Sequence, residues 1–267
     1  LIDASAGFDV EIREETHRYA ALALQGPTSF SVLSAMGLSG IETLRPFRLG
    51  HYDFNGSELT VSRTGFTGDL GYELWIDASQ ALALWDALFE AGADYGIRPI
   101  GTEALELART EAGLLQCGVD FLPAKGVVRT GRTRSPLELG LAWLVDFSKP
   151  NFNGRRALAA ELREGSPWRF VRLDIDGNKP AENAYIFAKR RGRQREVGFT
   201  TSAVWSPICK QNIALGTVRS AYGKPGESLT VEIYYQREMH WSRKIAQARV
   251  VEGPFWAPPR PRTPAPS

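Results

Sequence analysis

The sequence contains few of the residues from which metal sites and disulfide frameworks are built. Its 267 residues include two cysteines, Cys117 and Cys209, and three histidines, His17, His51 and His240. None of them has the spacing of a zinc-ligand pair, so we predict that no metal is bound. The cysteines are compatible with two buried thiols, one disulfide or one reactive thiol. Because a free cysteine packs like a small hydrophobic residue, we favour two buried thiols.

Long hydrophobic runs and an excess of one charge are also absent. The richest apolar stretch, residues 81–93, is interrupted by Asp86 and Glu90, whereas a membrane-spanning helix needs about 18 apolar residues or more. The net charge of +2 predicts neither a nucleic acid nor an anionic membrane as a partner. Residues 1–9 lack the basic start and apolar block of a signal peptide. We therefore expect a cytoplasmic location.

An initiator methionine and a serine nucleophile motif are missing as well. The sequence opens on Leu1-Ile2-Asp3, as if it were cut from a longer protein. No Gly-x-Ser-x-Gly elbow presents a serine, although a Ser-His-Asp triad assembled from distant residues stays open. The apolar share of 43% and the charged share of 23% are those of a globular protein.

The first half of the chain alternates between strand and helix patterns. Turn residues separate the predicted elements, and Asn55-Gly56 suits a tight hairpin turn. In the helix over 78–92 we expect Leu82, Trp85, Leu88 and Phe89 to form the buried face. We expect Thr102 to cap the helix over 102–113. The predicted strands are 19–24, 51–54, 59–63 and 72–76, and another helix runs from Thr28 to Gly37.

The second half changes from helices to short strands. Residues 121–134 have no periodicity and predict a loop, and a helix over 152–162 starts at Gly154. Six strands then follow, which predict a small antiparallel barrel or sandwich. They cover residues 170–175, 185–188, 196–201, 213–218, 229–235 and 246–251. The Pro- and Arg-rich residues 257–267 predict disorder.

One segment, residues 62–74, has the composition of a binding loop. Gly65, Gly68 and Gly71 permit either a sharp turn or the close approach of a ligand to the backbone. Glu73 follows on an apolar strand, where a carboxylate can accept two parallel hydrogen bonds from the amidine-like edge of a guanine or a pterin. The alternative is a plain turn beside an exposed glutamate.

Two further clusters are each open to a structural explanation. Residues 200–207 place hydroxyls, Trp205 and Pro207 in what we predict to be a turn at the end of a strand. Trp205 can form the wall of a site for a flat heterocycle, or simply belong to a polar turn. Glu106 and Arg109 are three residues apart on the predicted helix and are expected to form a weak surface pair, near Glu103 and Glu111.

In this order the segments resemble the glycine-cleavage T-protein family. Residues 22–27 resemble its ALQGP strand-turn. Residues 63–73 resemble its R-T-G-Y-T-G-E-x-G-x-E motif, with Phe66 for Tyr and Asp69 for Glu. The resemblance continues to Trp256, through R-x-E-A-G-L (109–114), G-x-D (118–120), T-P-x-E-x-G-L-x-W (135–143), F-x-G-R-x-A-L (152–158), the barrel signature (201–207, 212–215 and 225–226) and P-F-Y/W (254–256).

The resemblance implies a fold, a cofactor and an activity. The fold is α+β, with a ferredoxin-like folate-binding lobe followed by an antiparallel β-barrel. We expect a folate-binding domain over 1–140, a helical connection over 141–166, the barrel over 167–256 and the disordered tail over 257–267. The cofactor is tetrahydrofolate, with Glu73 on the pterin and Phe66 and Trp205 nearby. The chain is then a one-carbon transferase that takes an aminomethyl or methyl group from a small donor, or from a lipoyl carrier protein.

The resemblance also carries two departures and two alternatives. Leu105 stands where glycine-cleavage members have a folate-binding arginine, and residues 101–105 look more like relatives that demethylate N-methyl amines. The family's catalytic Asp lies upstream of Leu1, so the given sequence is expected to lack it. The alternatives are a non-catalytic folate-binding module, and the C-terminal folate domain of a flavin-dependent sarcosine or dimethylglycine demethylase.

Overall fold

Two units form the chain, and each is described by itself. The computed structural model describes residues 2, 5–123, 125, 127, 131 and 133–263. The first unit runs to Ile100 and includes the segment that begins at Pro258, and the second unit is Gly101–Ala257. The sequence-based domain boundary at residue 140 stays a prediction.

A four-stranded antiparallel sheet is the centre of the first unit. Its strands are β1 (Tyr19–Gln25), β2 (Leu49–Phe54), β3 (Ser57–Ser62) and β4 (Gly71–Asp77), in the order β1-β4-β3-β2. Asn55 and Gly56 join β2 to β3 with φ angles of 53° and 79°, so the predicted hairpin turn is confirmed. Side chains from β1, β3 and β4 pack with the helices of this unit into one hydrophobic core.

The helices of this unit lie where the sequence predicted them, but one of them buries a different face. Helix α1 is Ser29–Ala35 and α2 is Ala81–Ala91. Leu84 and Leu88 of α2 are buried in the core, whereas Leu82 is 78% exposed and Trp85 is 42% exposed. The face predicted from Leu82 and Trp85 is therefore wrong. Helix α2 carries two apolar stripes, and periodicity cannot tell which one meets the sheet.

The second unit begins with helices. Helix α3 is Thr102–Glu111 and α4 is Arg155–Glu164. Thr102 is already helical, Gly101 holds the capping position, and no side chain caps α3, so the predicted cap is wrong. Gly154 precedes α4 with a φ of 91°, which glycine adopts without strain. The helices that the structure describes are too short or too polar to cross a membrane.

A closed barrel of six antiparallel strands completes this unit. The strands are β5 (Trp168–Ile175), β6 (Tyr185–Arg190), β7 (Arg193–Ser206), β8 (Gln211–Arg219), β9 (Ser228–Arg237) and β10 (His240–Val251), in the order β10-β5-β8-β7-β6-β9. Aliphatic side chains from all six strands fill the interior. The predicted α+β class with a C-terminal antiparallel barrel is confirmed.

Strand β7 is longer than predicted and is irregular. It continues to Ser206, and its pairing with β8 shifts register between Thr200 and Ser202. The segment predicted as a turn is therefore strand, because its hydroxyl groups are buried and bonded within the unit. A bulge of this kind lets consecutive residues point to the same side of a strand.

Truncation of one leucine on α2 tests which stripe holds the helix. We expect Leu84→Ala to lower the free energy of unfolding by about 2–5 kcal/mol, because it leaves a cavity in the core. Leu82→Ala is the matched control and is expected to change it by about 0.5 kcal/mol or less. Urea denaturation followed by circular dichroism measures both, and equal losses would contradict the observed packing.

Candidate functional site

Glu73 lies on β4 with half of its carboxylate engaged. It is half-buried and stands in register with Ala23 on β1 and Ser62 on β3. The Thr64 hydroxyl donates a hydrogen bond to Glu73 Oε2, and the hydroxyls of Ser62 and Thr64 are hydrogen bonded to each other. None of the described residues donates to Glu73 Oε1. The carboxylate is therefore oriented on one side and available as an acceptor on the other.

Gln25 organises the glycine-rich segment before Glu73. Its side-chain amide donates to the carbonyls of Thr64 and Tyr72 at 3.4 and 3.2 Å and accepts a hydrogen bond from Thr67 at 3.2 Å. A Cβ added at Gly65 or Gly71 would lie 2.0 or 2.1 Å from Gln25 Oε1. These two glycines make room for an internal amide, while Gly68, with a φ of 77°, makes a turn.

Arg63 connects the same segment to residues near the end of the chain. It is buried, and its guanidinium donates to the carbonyls of Leu44 at 3.2 Å, Arg260 at 3.3 Å and Thr263. Asp69 and Arg260 form two parallel hydrogen bonds of 2.8 Å each, and this carboxylate raises the pKa of Arg260. These contacts differ from the disorder expected for residues 257–263. Residues 264–267 lie outside the described residues.

Tyr72 neighbours Glu73 but takes no part in a site. Successive side chains of a strand point to opposite faces, and Tyr72 is fully buried in the core. Burial raises the pKa of its phenol, and the nearby Arg63 opposes that shift. The phenol is therefore neutral at physiological pH, and the core encloses it.

The other residues predicted for a site lie in different places. Phe66 lies in the glycine-rich segment of the first unit and is half-buried, like Glu73. Trp205 belongs to the second unit, where it is 43% exposed on β7 opposite Asn212. The structure thus gathers Glu73, Thr64 and the segment containing Phe66 in one unit.

Arg109 is the centre of a buried polar network in the second unit. The side chain has no exposed surface, and all five of its N–H groups are used. It bonds Glu106 through Nε at 2.9 Å and Nη2 at 2.5 Å, and Ser202 through Nη2 at 2.7 Å. Nη1 bonds Asp120 at 2.6 Å and the Leu114 carbonyl at 3.2 Å. The predicted pairing of Glu106 with Arg109 is confirmed, but its assignment to the surface is wrong, because the Arg109 side chain is buried against the barrel.

Asp120 is satisfied as completely as its partner. One oxygen accepts from Arg109 and from the Gln116 backbone at 2.8 Å, and the other accepts from Thr201 at 2.5 Å and Ser202 at 2.8 Å. Thr201 and Ser202 are consecutive, and the bulge in β7 lets both reach one oxygen. This network joins α3 to β7 and leaves no free acceptor on Asp120.

A cavity of about 300 Å³ lies in the first unit, and Ala23 and Gln25 are among the residues that line it. Its apolar lining comes from β1, α1, α2 and the segment after α2, and includes Leu22, Val32, Trp85, Phe89 and Tyr95. Neither Glu73 nor Phe66 lines it. We place more weight on Glu73, because Thr64 orients its carboxylate and leaves one oxygen available as an acceptor.

The two cysteines are not bonded to each other. Cys117 is exposed, so the expectation of two buried thiols is wrong for this residue. Cys209 is half-buried, and its sulfur lies 3.5 Å from the Phe255 carbonyl. Among the described residues, no group of three or more His, Cys, Asp or Glu side chains is arranged to hold a metal ion.

Family comparisons match both units of the chain. The GCVT N-terminal domain matches residues 1–149, and the glycine cleavage T-protein C-terminal barrel domain matches residues 169–256. The chain belongs to the glycine cleavage T-protein family. The resemblance in the sequence motifs is thereby confirmed.

Proteins of the T-protein family with similar sequences are named aminomethyltransferase. The chain is 35% identical to one from Halothermothrix orenii, over 84% of this chain and 59% of that protein. It is 34% identical to one from Geobacillus thermodenitrificans, over 93% of this chain and 63% of that protein. The chain therefore spans about three fifths of the length of these relatives.

A solved structure of the T-protein family has the same fold. The glycine cleavage system aminomethyltransferase T from Bartonella henselae superposes with a TM-score of 0.78 at 25% sequence identity. The match covers 96% of this chain and 64% of that one.

Several T-protein motifs coincide with the buried network rather than with a ligand site. The R-x-E-A-G-L motif supplies Arg109 and also Glu111, which accepts a 2.5 Å hydrogen bond from Ser206. The G-x-D motif supplies Asp120, and the barrel signature supplies its partner Thr201. These residues are all part of the family motifs in the sequence. The helical spacing of Glu106 and Arg109, considered by itself, predicted that Arg109 lies on the surface. The relevant signal was the combination of motifs that lie far apart in sequence.

Removal of the Arg109 charge tests the network. We expect Arg109→Gln to lower the free energy of unfolding by about 3–5 kcal/mol, because it leaves the Asp120 carboxylate buried without its cation. Arg163→Gln, at an exposed position of α4, removes the same charge and is expected to cost about 0.5 kcal/mol or less. Thermal and urea denaturation measure the difference. A small effect at Arg109 would mean that water replaces the guanidinium.

Proposed function

We propose that the chain binds tetrahydrofolate and acts in a one-carbon transferase, which moves an aminomethyl or methyl group from a donor to the folate. The observation that carries this proposal is the carboxylate of Glu73, which is oriented by Thr64 and keeps Oε1 free. Membership of the T-protein family supports it, and so do relatives that are named aminomethyltransferase.

The chemistry of the residues around Glu73 fits a pterin. The amino-pyrimidine edge of a pterin presents parallel N–H donors, and a carboxylate is the acceptor that bonds such donors most strongly. Thr64 holds one oxygen of Glu73 in place and is itself bonded to Ser62, which reduces the entropy lost when a ligand binds. Gln25 restricts the adjoining segment by bonding to the Thr64 and Tyr72 carbonyls.

We assign binding roles to two residues of the first unit. Glu73 accepts hydrogen bonds from the pterin edge, and Phe66 offers aromatic surface for a flat ring. When bound, tetrahydrofolate supplies the nitrogen that accepts the one-carbon unit. The task of these side chains is to orient that ring, since holding two reactants in register lowers the barrier to transfer. We assign the chemical step to no residue of this chain.

One residue, Leu105, bears on the identity of the one-carbon donor. Leu105 on α3 provides no charge at the position where glycine-cleavage members have a folate-binding arginine, which favours a demethylase of N-methyl amines as the second candidate. In the first candidate function, an aminomethyltransferase, the donor is the aminomethyl group on a lipoyl carrier protein. A donor screen on a protein that includes the segment upstream of Leu1, with N-methylated glycines and an aminomethyl-lipoyl carrier, distinguishes the two.

Calorimetric titration with tetrahydrofolate under anaerobic conditions tests the assignment of Glu73. We expect saturable binding, which Glu73→Ala weakens about 30-fold or more, because a charge-assisted pair is worth roughly 2 kcal/mol. Glu90→Ala removes a carboxylate from the exposed side of α2 and is expected to leave the affinity unchanged.

Two outcomes would overturn the proposal in different ways. If the folded protein does not bind tetrahydrofolate, the proposal of a one-carbon transferase is contradicted. Binding that is equal in Glu73→Ala and the unsubstituted protein would keep folate as a ligand and place it elsewhere, for example in the apolar cavity of the first unit.

A further inference from the structure

Charge is distributed very unevenly along this nearly neutral chain. Residues 168–256, which form the barrel, contain 15 Lys and Arg against 8 Asp and Glu, a net charge of +7. Residues 1–167 contain 15 Lys and Arg against 22 Asp and Glu, a net charge of −7. The net charge of +2 for the whole chain conceals this separation. A basic domain of this kind attracts anionic partners.

The barrel charge is concentrated at one hairpin. Strands β6 and β7 meet in a turn at Arg191 and Gly192, whose φ angles of 50° and 78° are those of a tight type I′ turn. The seven residues 189–195 form what we call the arginine tip. Five of them are cations and all of them are exposed. The cations are Lys189, Arg190, Arg191, Arg193 and Arg195.

The ladder places three of these arginines together on one face. Arg190 is directly opposite Arg193, and Arg195 is opposite Ala188. Since side chains two apart on a strand share a face, Arg190, Arg193 and Arg195 lie on the same side of the ribbon. Like charges directly opposite one another destabilise a strand pair.

Nothing in the described part of the chain compensates this repulsion. None of the cations of the arginine tip forms an ion pair or a side-chain hydrogen bond with a described residue. In contrast, Arg243 at the opposite end of the barrel pairs with Glu232 at 2.8 Å. The repulsion among the cations of the arginine tip is therefore uncompensated, and a bound polyanion would neutralise it.

We propose that the arginine tip binds the phosphate backbone of nucleic acid without reading its sequence. Guanidinium groups bind phosphate oxygens in pairs, and four of the five cations are arginine. A two-stranded ribbon is also narrow enough for the major groove of a DNA duplex. The proposal thus differs from the expectation, based on the whole-chain charge, that nucleic acid is not a partner.

The composition of the arginine tip favours nucleic acid over other polyanions. Residues 189–195 contain no aromatic or aliphatic side chain. A protein interface is built around a buried apolar core, and an amphipathic membrane anchor inserts apolar side chains, and this segment supplies neither. Binding to a phosphate backbone needs cations alone and is weak, with a dissociation constant of about 10⁻⁴–10⁻⁶ M.

Fluorescence anisotropy with a labelled 20-base-pair DNA duplex tests the proposal. The readout is the slope of the logarithm of the binding constant against the logarithm of salt concentration. Each phosphate contact contributes about −0.9 to this slope. The triple variant Arg190→Gln, Arg193→Gln and Arg195→Gln is expected to bind more weakly and to lose about 2.7 from the magnitude of the slope, if each arginine contacts one phosphate.

A charge-matched control separates the arginine tip from the general charge of the barrel. Lys179, Lys210 and Arg243 lie at the opposite end, because Lys179 precedes β6, Lys210 follows β7 and Arg243 lies near the turn between β9 and β10. Their triple substitution to glutamine removes the same charge and is expected to retain most of the slope. Equal losses in the two variants would overturn the proposal in favour of diffuse attraction to the barrel.

Two further outcomes would also overturn it. One is the absence of duplex binding by the unsubstituted protein at 50 mM salt. The other is tighter binding to polyglutamate or to phosphatidylserine vesicles, which would indicate an acidic protein or a membrane instead. Removal of the opposed arginines relieves their repulsion. The triple tip variant is therefore expected to unfold at the same temperature as the unsubstituted protein or higher. A lower unfolding temperature would reveal misfolding as a result separate from weaker binding.

Discussion

The buried ion pair between Arg109 and Asp120 is the constraint on which the second unit depends. Removing two charges from water costs several kcal/mol each, and the cost is recovered only when nearly every hydrogen-bonding group finds a partner. Here every N–H of Arg109 and both oxygens of Asp120 are engaged. The arrangement needs the end of α3, the segment that follows it and the bulge of β7 at the same time. The position of α3 on the barrel is therefore set by polar contacts that tolerate little displacement.

The carboxylates of Asp120 and Glu73 differ in how many hydrogen bonds the described residues give them. Both are held by hydroxyl groups on neighbouring segments. Asp120 accepts four hydrogen bonds from the protein and has no capacity left, whereas the described residues bond only Oε2 of Glu73. The difference is one of completeness rather than burial alone. Asp120 is therefore fully used within the fold, whereas Glu73 keeps one oxygen as an available acceptor.

The sequence was most informative where a local rule decides the structure. Asn55-Gly56 predicted a hairpin, and short segments separated by turn residues predicted the six barrel strands. Sequence reasoning failed where the partner is distant: Arg109 meets Ser202 93 residues later. It also failed where two answers fit one pattern, as for the apolar stripes of α2. The charge separation was missed for a third reason, since a sum over the whole chain cancels opposite contributions from its parts. The position of Glu73 on a strand was predicted because the apolar residues around it are local in sequence, and its role in binding stays a prediction.

The side chain of Gln25 occupies the space that two missing methyl groups would fill, one at Gly65 and one at Gly71. The three positions therefore behave as a single unit in evolution. Any relative with a larger residue at 65 or 71 is expected to carry a shorter one at 25, and a glutamine at 25 is expected only beside two glycines. Neither glycine is therefore expected to be replaced without a change at position 25. This holds although neither glycine touches the carboxylate of Glu73. A pattern of joint substitution at these positions would record an internal packing rule, and conservation of the glycines by itself should not be taken as a sign of ligand contact.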